Sequence, residues 1–260
     1  MTRMLIVVAA MIATPLSYAG QTPEDKGLAL IRQADDRYSG YGDSFASLRM
    51  VLRNRQGQVS ERRLRIRALE VRDDGTKSLC IFDSPADVKG TVLLTHTHKD
   101  QPDDQWLYLP ALKKTRRIVS SEKGKSFMSS EFSNADMSSP APSDFKSRHL
   151  DKSGQNGQWI IESIPADDKK ADEYGYSRKI SYIRISDHQV TKMEFYNFDN
   201  VLYKIIEIKN IQNLSGGKFL IQDMVSENLI TKRKSEIHFS EIKEGSKIDD
   251  SLFSLQNLER

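Results

Sequence analysis

The sequence predicts a mainly β protein built as an antiparallel meander, and three observations carry that expectation. From about residue 47 onward apolar and polar residues alternate with a period of two. The segments so patterned are bounded by Gly, Pro, Asn or Asp, as strand ends are. Their connections are short except for one, at 120–145, which excludes parallel βαβ units, whose crossovers need a dozen or more residues.

Residues 1–19 read as a secretory signal peptide. Arg3 supplies the positive start, residues 4–12 the apolar stretch, and Ser17-Tyr18-Ala19 a small-x-small cleavage site. The mature chain is expected to begin at Gly20, to fold as one domain over 20–260 and to be exported. No Cys stands near the cleavage site, so no N-terminal lipid anchor is expected. A helix follows: Thr22 is a good N-cap, Pro23 suits the first position, Glu24 and Asp25 complement the dipole, and Gly40 lies past the end. Leu28, Ile31, Ala34 or Asp35, and Tyr38 place one apolar stripe on it.

The period then changes to two. Leu48, Met50 and Leu52 alternate with polar or charged neighbours, the turn Asn54-Arg55-Gln56-Gly57 closes a hairpin, and Leu64, Ile66 and Ala68 alternate with Arg63, Arg65 and Arg67. Further strands are predicted at 76–83, 89–97, 104–110, 113–119, 146–152, 157–164, 176–185, 189–197, 201–212, 217–227 and 231–242, with turns at 153–157 and 215–217. Trp106–Leu109 is an aromatic and aliphatic strand halted by Pro110. After the return strand, 120–140 holds Phe127, Met128, Phe132 and Met137 with no clean period. A connection that long in a compact domain predicts a lid or binding loop.

Composition narrows the function. The 260 residues, 38% hydrophobic, suffice for a substantial core, and a formal charge of +3 gives nucleic acid no purchase. The single Cys80 stands in an apolar run and is expected to be a small buried hydrophobe. His96 and His98 share a strand face, but no third metal ligand accompanies them. A G-x-S-x-G elbow and a Gly-rich phosphate loop are both missing. No enzyme, metal or cofactor is therefore expected.

The stretch DDQWLYLPALKKTRRI at 103–118, followed by FMSSEFSNADM at 127–137 and preceded by SLCIFDSPADVKGTVLLT at 78–95, resembles the outer-membrane lipoprotein-sorting-like family. These are periplasmic proteins related to the carriers LolA and LolB, and the similarity extends from about Tyr38 to the C-terminus. The pattern places Gly at 129, where Ser stands here; a position needing positive φ tolerates Ser badly. The resemblance implies a strongly curved antiparallel sheet forming an incomplete barrel, with an N-terminal helix and a loop or helix cover over an apolar cavity. It also implies a carrier for lipid or the acyl chains of lipoproteins, delivering them between membranes or to and from a transporter. On that reading Leu48, Met50, Leu52, Leu64, Ile66, Leu79, Ile81, Val92, Leu94, Trp106 and Tyr108 line the cavity, and Phe127, Met128 and Phe132 cover it. Arg63, Arg65, Arg67, Lys113, Lys114, Arg116 and Arg117 form basic rows, read either as a solvated face or as a docking surface for a membrane or an acidic partner. The alternative is a non-carrying accessory protein docked on an RND/MMPL-type inner-membrane exporter.

Overall fold

The computed structural model describes residues 21–98, 101, 103–138, 140–150 and 157–258. The expected signal peptide at 1–19 and most of the expected turn at 153–157 lie outside the described residues. The elements are α1 (Pro23–Asp36), β1 (Asp43–Arg53), β2 (Val59–Glu70), β3 (Thr76–Ser84), β4 (Val92–His96), β5 (Asp104–Leu109), β6 (Lys114–Ile118), β7 (Phe145–His149), β8 (Gln158–Pro165), α2 (Asp168–Tyr174), β9 (Arg178–Arg184), β10 (Val190–Tyr196), β11 (Leu202–Asn213), β12 (Phe219–Asn228), β13 (Arg233–Glu244) and α3 (Leu255–Leu258). Every strand predicted from the period of two is present, with ends displaced by a few residues. Helix α2 and the C-terminal segment were not expected.

All thirteen strands join one antiparallel sheet in the order β6-β5-β4-β3-β2-β1-β13-β12-β11-β10-β9-β8-β7. The first and last strands, β1 and β13, pair at its middle, and the two edges are β6 and β7. The sheet does not close. Because its edge strands are consecutive in the chain, segment 119–144 has to pass from one edge to the other.

Cross-strand register assigns the faces. Leu48 pairs with Leu64, Leu64 with Phe82, Met50 with Ile237, and Leu93 with both Cys80 and Leu107; these side chains share the concave face and one core cluster. The other face carries Arg49, Arg63, Arg65 and Arg67 where it meets water. Over β3–β5 it is apolar instead, because Phe253 and Leu258 of the C-terminal segment cover Leu79, Val92 and Leu94. Ile81, Trp106 and Tyr108 complete this second cluster.

The helix expectation is met at its cap and start, but the buried face is Gly27, Leu30 and Ala34, with Ile31 at its margin and Leu28 outside it. Thr22 caps α1, its hydroxyl accepting from the Asp25 amide at 3.1 Å, and Pro23 opens it. Leu30 and Ala34 are buried against Ile161 of β8 and Ile183 of β9. Gly27 permits the close approach, since a Cβ there would stand 2.6 Å from the Cα of Arg148 on β7. Gly27→Ala is expected to lower stability by about 1–3 kcal/mol through overpacking, and Phe253→Ala by about 3–5 kcal/mol through the cavity it leaves over β3–β5. Chemical denaturation of each variant measures both.

Candidate functional site

Side-chain volume along the concave face explains where space is left. At one end, Leu48, Leu64 and Phe82 lie side by side on β1, β2 and β3. Two residues along, the register brings together Ala46, Ile66 and Cys80; two further, Ser44, Ala68 and Ser78. Large inward side chains thus give way to small ones over about 13 Å of strand. Packing cannot follow, and a cavity of about 910 Å³ opens there, near the top of the range for small-molecule sites. Its walls include Leu93, Phe239, Met224 and Phe219 from the sheet and Met137 from the cross-over segment. Residues 38–42 after α1, the turn 70–75, and Thr97 and His98 form the mouth. The carboxylate of Glu70 fixes that mouth by accepting from the Gly40 and Gly42 amides at 2.6 and 2.8 Å.

Segment 119–144 fills the other end as a plug. Phe127 and Phe132 are 1% and 0% exposed among Leu48, Leu64 and Phe82, with the Phe82 and Phe127 rings 5.9 Å apart. Irregular backbone buried in this way needs partners for its amides and carbonyls. Two inward serines supply them: Ser235 accepts from the Glu131 amide and Ser226 donates to the Glu131 carbonyl, both at 2.9 Å. Gln105 donates to the Asn134 carbonyl at 3.2 Å. Ion pairs add further ties, Lys204 to Asp136 at 2.8 Å and Lys123 to Glu173 at 2.7 Å, the latter almost wholly buried. At the tip Met128 and Ser129 both take positive φ, 48° and 63°. Residue 129 therefore has the left-handed conformation in which the family pattern places Gly. Arg62 donates to the Met128 carbonyl, and Arg233 to that of Ser129 at 2.7 Å.

Charged side chains also stand beside the plug. Lys179 projects from the concave face of β9, its ammonium 4.3 Å over the Phe145 ring. Burial pulls its pKa down to about 8, against the opposing pull of Asp136 and Asp35. Asp35, on the cavity wall, is raised by burial and by Asp36. Burial also pushes the Cys80 thiol up to about 12, so it stays protonated near neutral pH. His96 bonds the Phe253 carbonyl through Nε2 at 3.0 Å, and His98 pairs with Asp74 at 2.9 Å. Among the described residues no cluster of three or more His, Cys, Asp or Glu is arranged to hold a metal.

The sequence-predicted residues separate into groups. Ile66 lines the cavity; Leu48, Met50, Leu52 and Leu64 share its face but pack against the plug. Phe127, Met128 and Phe132 lie in or against that core, inside the groove rather than over its mouth. Leu79, Ile81, Val92, Leu94, Trp106 and Tyr108 belong to the opposite face, which corrects their assignment to the cavity. Strands β3–β5 are apolar on both sides, so alternation there carries no information about which side faces in. Most of the basic rows are neutralised: Arg63 pairs with Glu61 at 3.2 Å, Arg65 with Asp83 through two bonds of 2.8 Å, Arg116 with Glu122 at 2.9 Å, and Arg117 with Asp104. Arg67 lies 5.9 Å from the Phe45 ring, while Lys113 and Lys114 stay exposed. The lining residues missed were Ala46, Ala68, Met137, Phe219, Met224 and Phe239. Only the small inward residues at 44, 46, 68, 78 and 80 signalled them.

Two measurements follow from the buried charges. Glu173→Leu is expected to cost about 3–5 kcal/mol by leaving Lys123 unpaired, and Lys123→Met with Glu173→Leu to recover most of it. A double-mutant cycle in denaturant reads the difference. For Lys179 the folded pKa lies below the unfolded one, so between about pH 8 and pH 10.5 the unfolded chain binds more protons and stability rises with pH. Lys179→Met should therefore stabilise the protein most below pH 8, with the gain shrinking toward pH 10.5. Thermal unfolding across that range checks the sign.

A family described as uncharacterised proteins matches residues 74–260. Among solved structures, a domain from Vibrio parahaemolyticus described as an outer-membrane lipoprotein-sorting protein is 34% identical. Its TM-score is 0.84, with 91% of this chain and all of that one covered. A DUF1329 family protein from Desulfovibrio piger is 26% identical over 91% of this chain and 99% of its own, with a TM-score of 0.82. A LolA superfamily protein from Nitrosomonas europaea, 16% identical over 88% of this chain and 98% of its own, has a TM-score of 0.68 and shares the fold. The curated proteins give no match.

Proposed function

Since the chain belongs to the outer-membrane lipoprotein-sorting protein-like family and has its open, LolA-like sheet, we propose that it is a non-enzymatic periplasmic carrier. It holds lipid, or the acyl chains of lipoproteins, in the cavity beside Ala46 and Ala68 and delivers them between membranes. The observation that carries this reading is that cavity of about 910 Å³, walled mainly by apolar side chains and open at a mouth of turns. Acyl chains leaving water for such a wall gain about 0.8 kcal/mol per buried CH₂. One long chain therefore gains roughly 10 kcal/mol before ordering costs, enough for retention in transit. The polar mouth leaves a headgroup in water while the tail lies inside. No helix among the described residues is long and apolar enough to cross a membrane. Transport of cargo by the protein itself would therefore rest on transient contact with membranes. The transporter-docking alternative gains no support from the basic rows, since most of their arginines already face carboxylates.

Native mass spectrometry of detergent-free protein, followed by lipid extraction, tests the reading. Stoichiometric lipid is expected in the native protein. Ala46→Phe and Ala68→Phe, which fill the cavity, should cut that content at least tenfold, a loss of about 1.4 kcal/mol in binding, with little change in unfolding midpoint. Trp106→Ala, on the opposite face, should leave it unchanged. A protein free of lipid that takes up none when it is added overturns the carrier reading.

A further inference from the structure

A second, smaller cavity of about 280 Å³ opens at the far end of the groove, where the plug tip meets the sheet rim. It lies between two neighbouring hairpin tips, β1–β2 at 54–58 and β12–β13 at 229–232. Its lining includes Arg62 and Arg233 on the inward face and, at the rim, Arg53 and Lys234, whose strand positions face outward, and no carboxylate. Two carboxylates stand beside it, Glu236 on the outer face of β13 and the nearly buried Glu131 on the plug. Glu236 meets Arg53 and Lys234 at 3.6 and 3.4 Å, and Glu131 meets Arg233 at 2.9 Å. Arg62 forms no ion pair among the described residues; Asp87 acts on it only at longer range, and burial lowers its pKa.

What occupies Arg62 now is weak, while Arg233 divides itself between a carbonyl and the Glu131 carboxylate. Arg62 and Arg233 donate to the carbonyls of Met128 and Ser129, neutral acceptors on two residues held in the left-handed region. A guanidinium fork matches an oxyanion better than a single carbonyl, and a charged acceptor roughly doubles the strength of such bonds.

We propose that this pocket binds a tetrahedral oxyanion, the chemistry shared by a phospholipid headgroup and free phosphate, and that the bound anion draws Arg62 and Arg233 away from the plug. The site is separate from the cargo cavity and does not depend on what that cavity carries. Its flanks favour a headgroup as the source. Val59 on the pocket wall and Ile230 on the adjoining tip are 53% and 60% exposed, so apolar side chains stand beside the cations as they would at a lipid surface. With the anion bound, the strained turn at 128–129 loses its two side-chain anchors. The plug is then loosened where the protein meets a membrane.

The test uses the full chain with two probes, inorganic phosphate by calorimetric titration and vesicles of phosphatidylglycerol or phosphatidylcholine by co-sedimentation. Binding to phosphatidylglycerol vesicles and not to phosphatidylcholine is expected, weakened at least tenfold by Arg62→Gln and by Arg233→Gln. Arg62→Lys, which keeps the charge and loses the fork, should be intermediate. Lys146→Gln, which removes an exposed charge from β7, should change nothing. Unfolding midpoints of all four variants establish that they fold. Phosphate that binds with the same arginine dependence and displaces vesicles places both sources at one site; phosphate binding without vesicle binding assigns the site to the free anion. Amide hydrogen exchange over 126–134 should quicken when either probe binds, and unchanged exchange overturns the link to the plug. Binding of neither probe, or equal weakening by Lys146→Gln, overturns the site.

Discussion

The structure depends on one constraint of connectivity. Thirteen antiparallel strands curve without closing, and the two strands left at the edges, β6 and β7, follow one another in the chain. A short turn cannot join the two margins of an open sheet, so the connection must cross the concave face. From that crossing come the plug, the division of the groove into a filled and an open end, and the buried polar contacts that hold the plug in place.

Irregular backbone in an apolar groove is costly wherever an amide or carbonyl lacks a partner. The inward-facing serines at 226 and 235, with Gln105, are polar positions on the concave face, and each bonds the plug's main chain. The buried pairs Lys123–Glu173 and Lys204–Asp136 act differently. A buried ion pair adds little net stability compared with apolar side chains of the same size, yet a misplaced partner is strongly disfavoured. These pairs therefore select one position of the plug more than they strengthen it. Phe127 and Phe132 supply the apolar burial.

Much of this was legible in the sequence, and what was not has identifiable physical causes. Strands β1 and β2 read correctly because one face meets water, and Arg63, Arg65 and Arg67 mark it. In β3–β5 the alternation fails because Phe253 and Leu258, far away in sequence, cover the outer face, and either parity of Leu79-Cys80-Ile81 or Leu93-Leu94 then looks inward. The plug announced itself through length and four large apolar residues without a period. Its insertion into the groove needed partners on β11, β12 and β13, and no local pattern encodes those. Helix α2 is only seven residues long, with an Asp167 cap and a Gly175 stop, too short for periodicity to show. The cavity was the least legible feature, since it consists of missing volume, and missing volume appears only when register aligns small residues on three strands.

That last point separates a carrier from a merely incomplete barrel. Along β1–β3 the inward side chains shrink, from Leu64 and Phe82 to Ala68 and Ser78 within two inward steps. A groove shaped only for stability would continue with large side chains, because each buried methylene adds to stability and each void subtracts. Here the void lies away from Phe127 and Phe132, where the cross-over segment contributes only wall residues such as Met137 and Pro142, and it coincides with a mouth built from turns held by Glu70 and the Gly40 and Gly42 amides. On the proposed carrier reading, cargo would enter beside α1 without dislodging Phe127 or Phe132. Loosening of the plug tip at the other end would act on the same groove from behind, extending the space available to a longer chain. On that reading entry and release need not share a gate, and the plug's contacts can be strong at Glu131 and strained at Ser129 without contradiction.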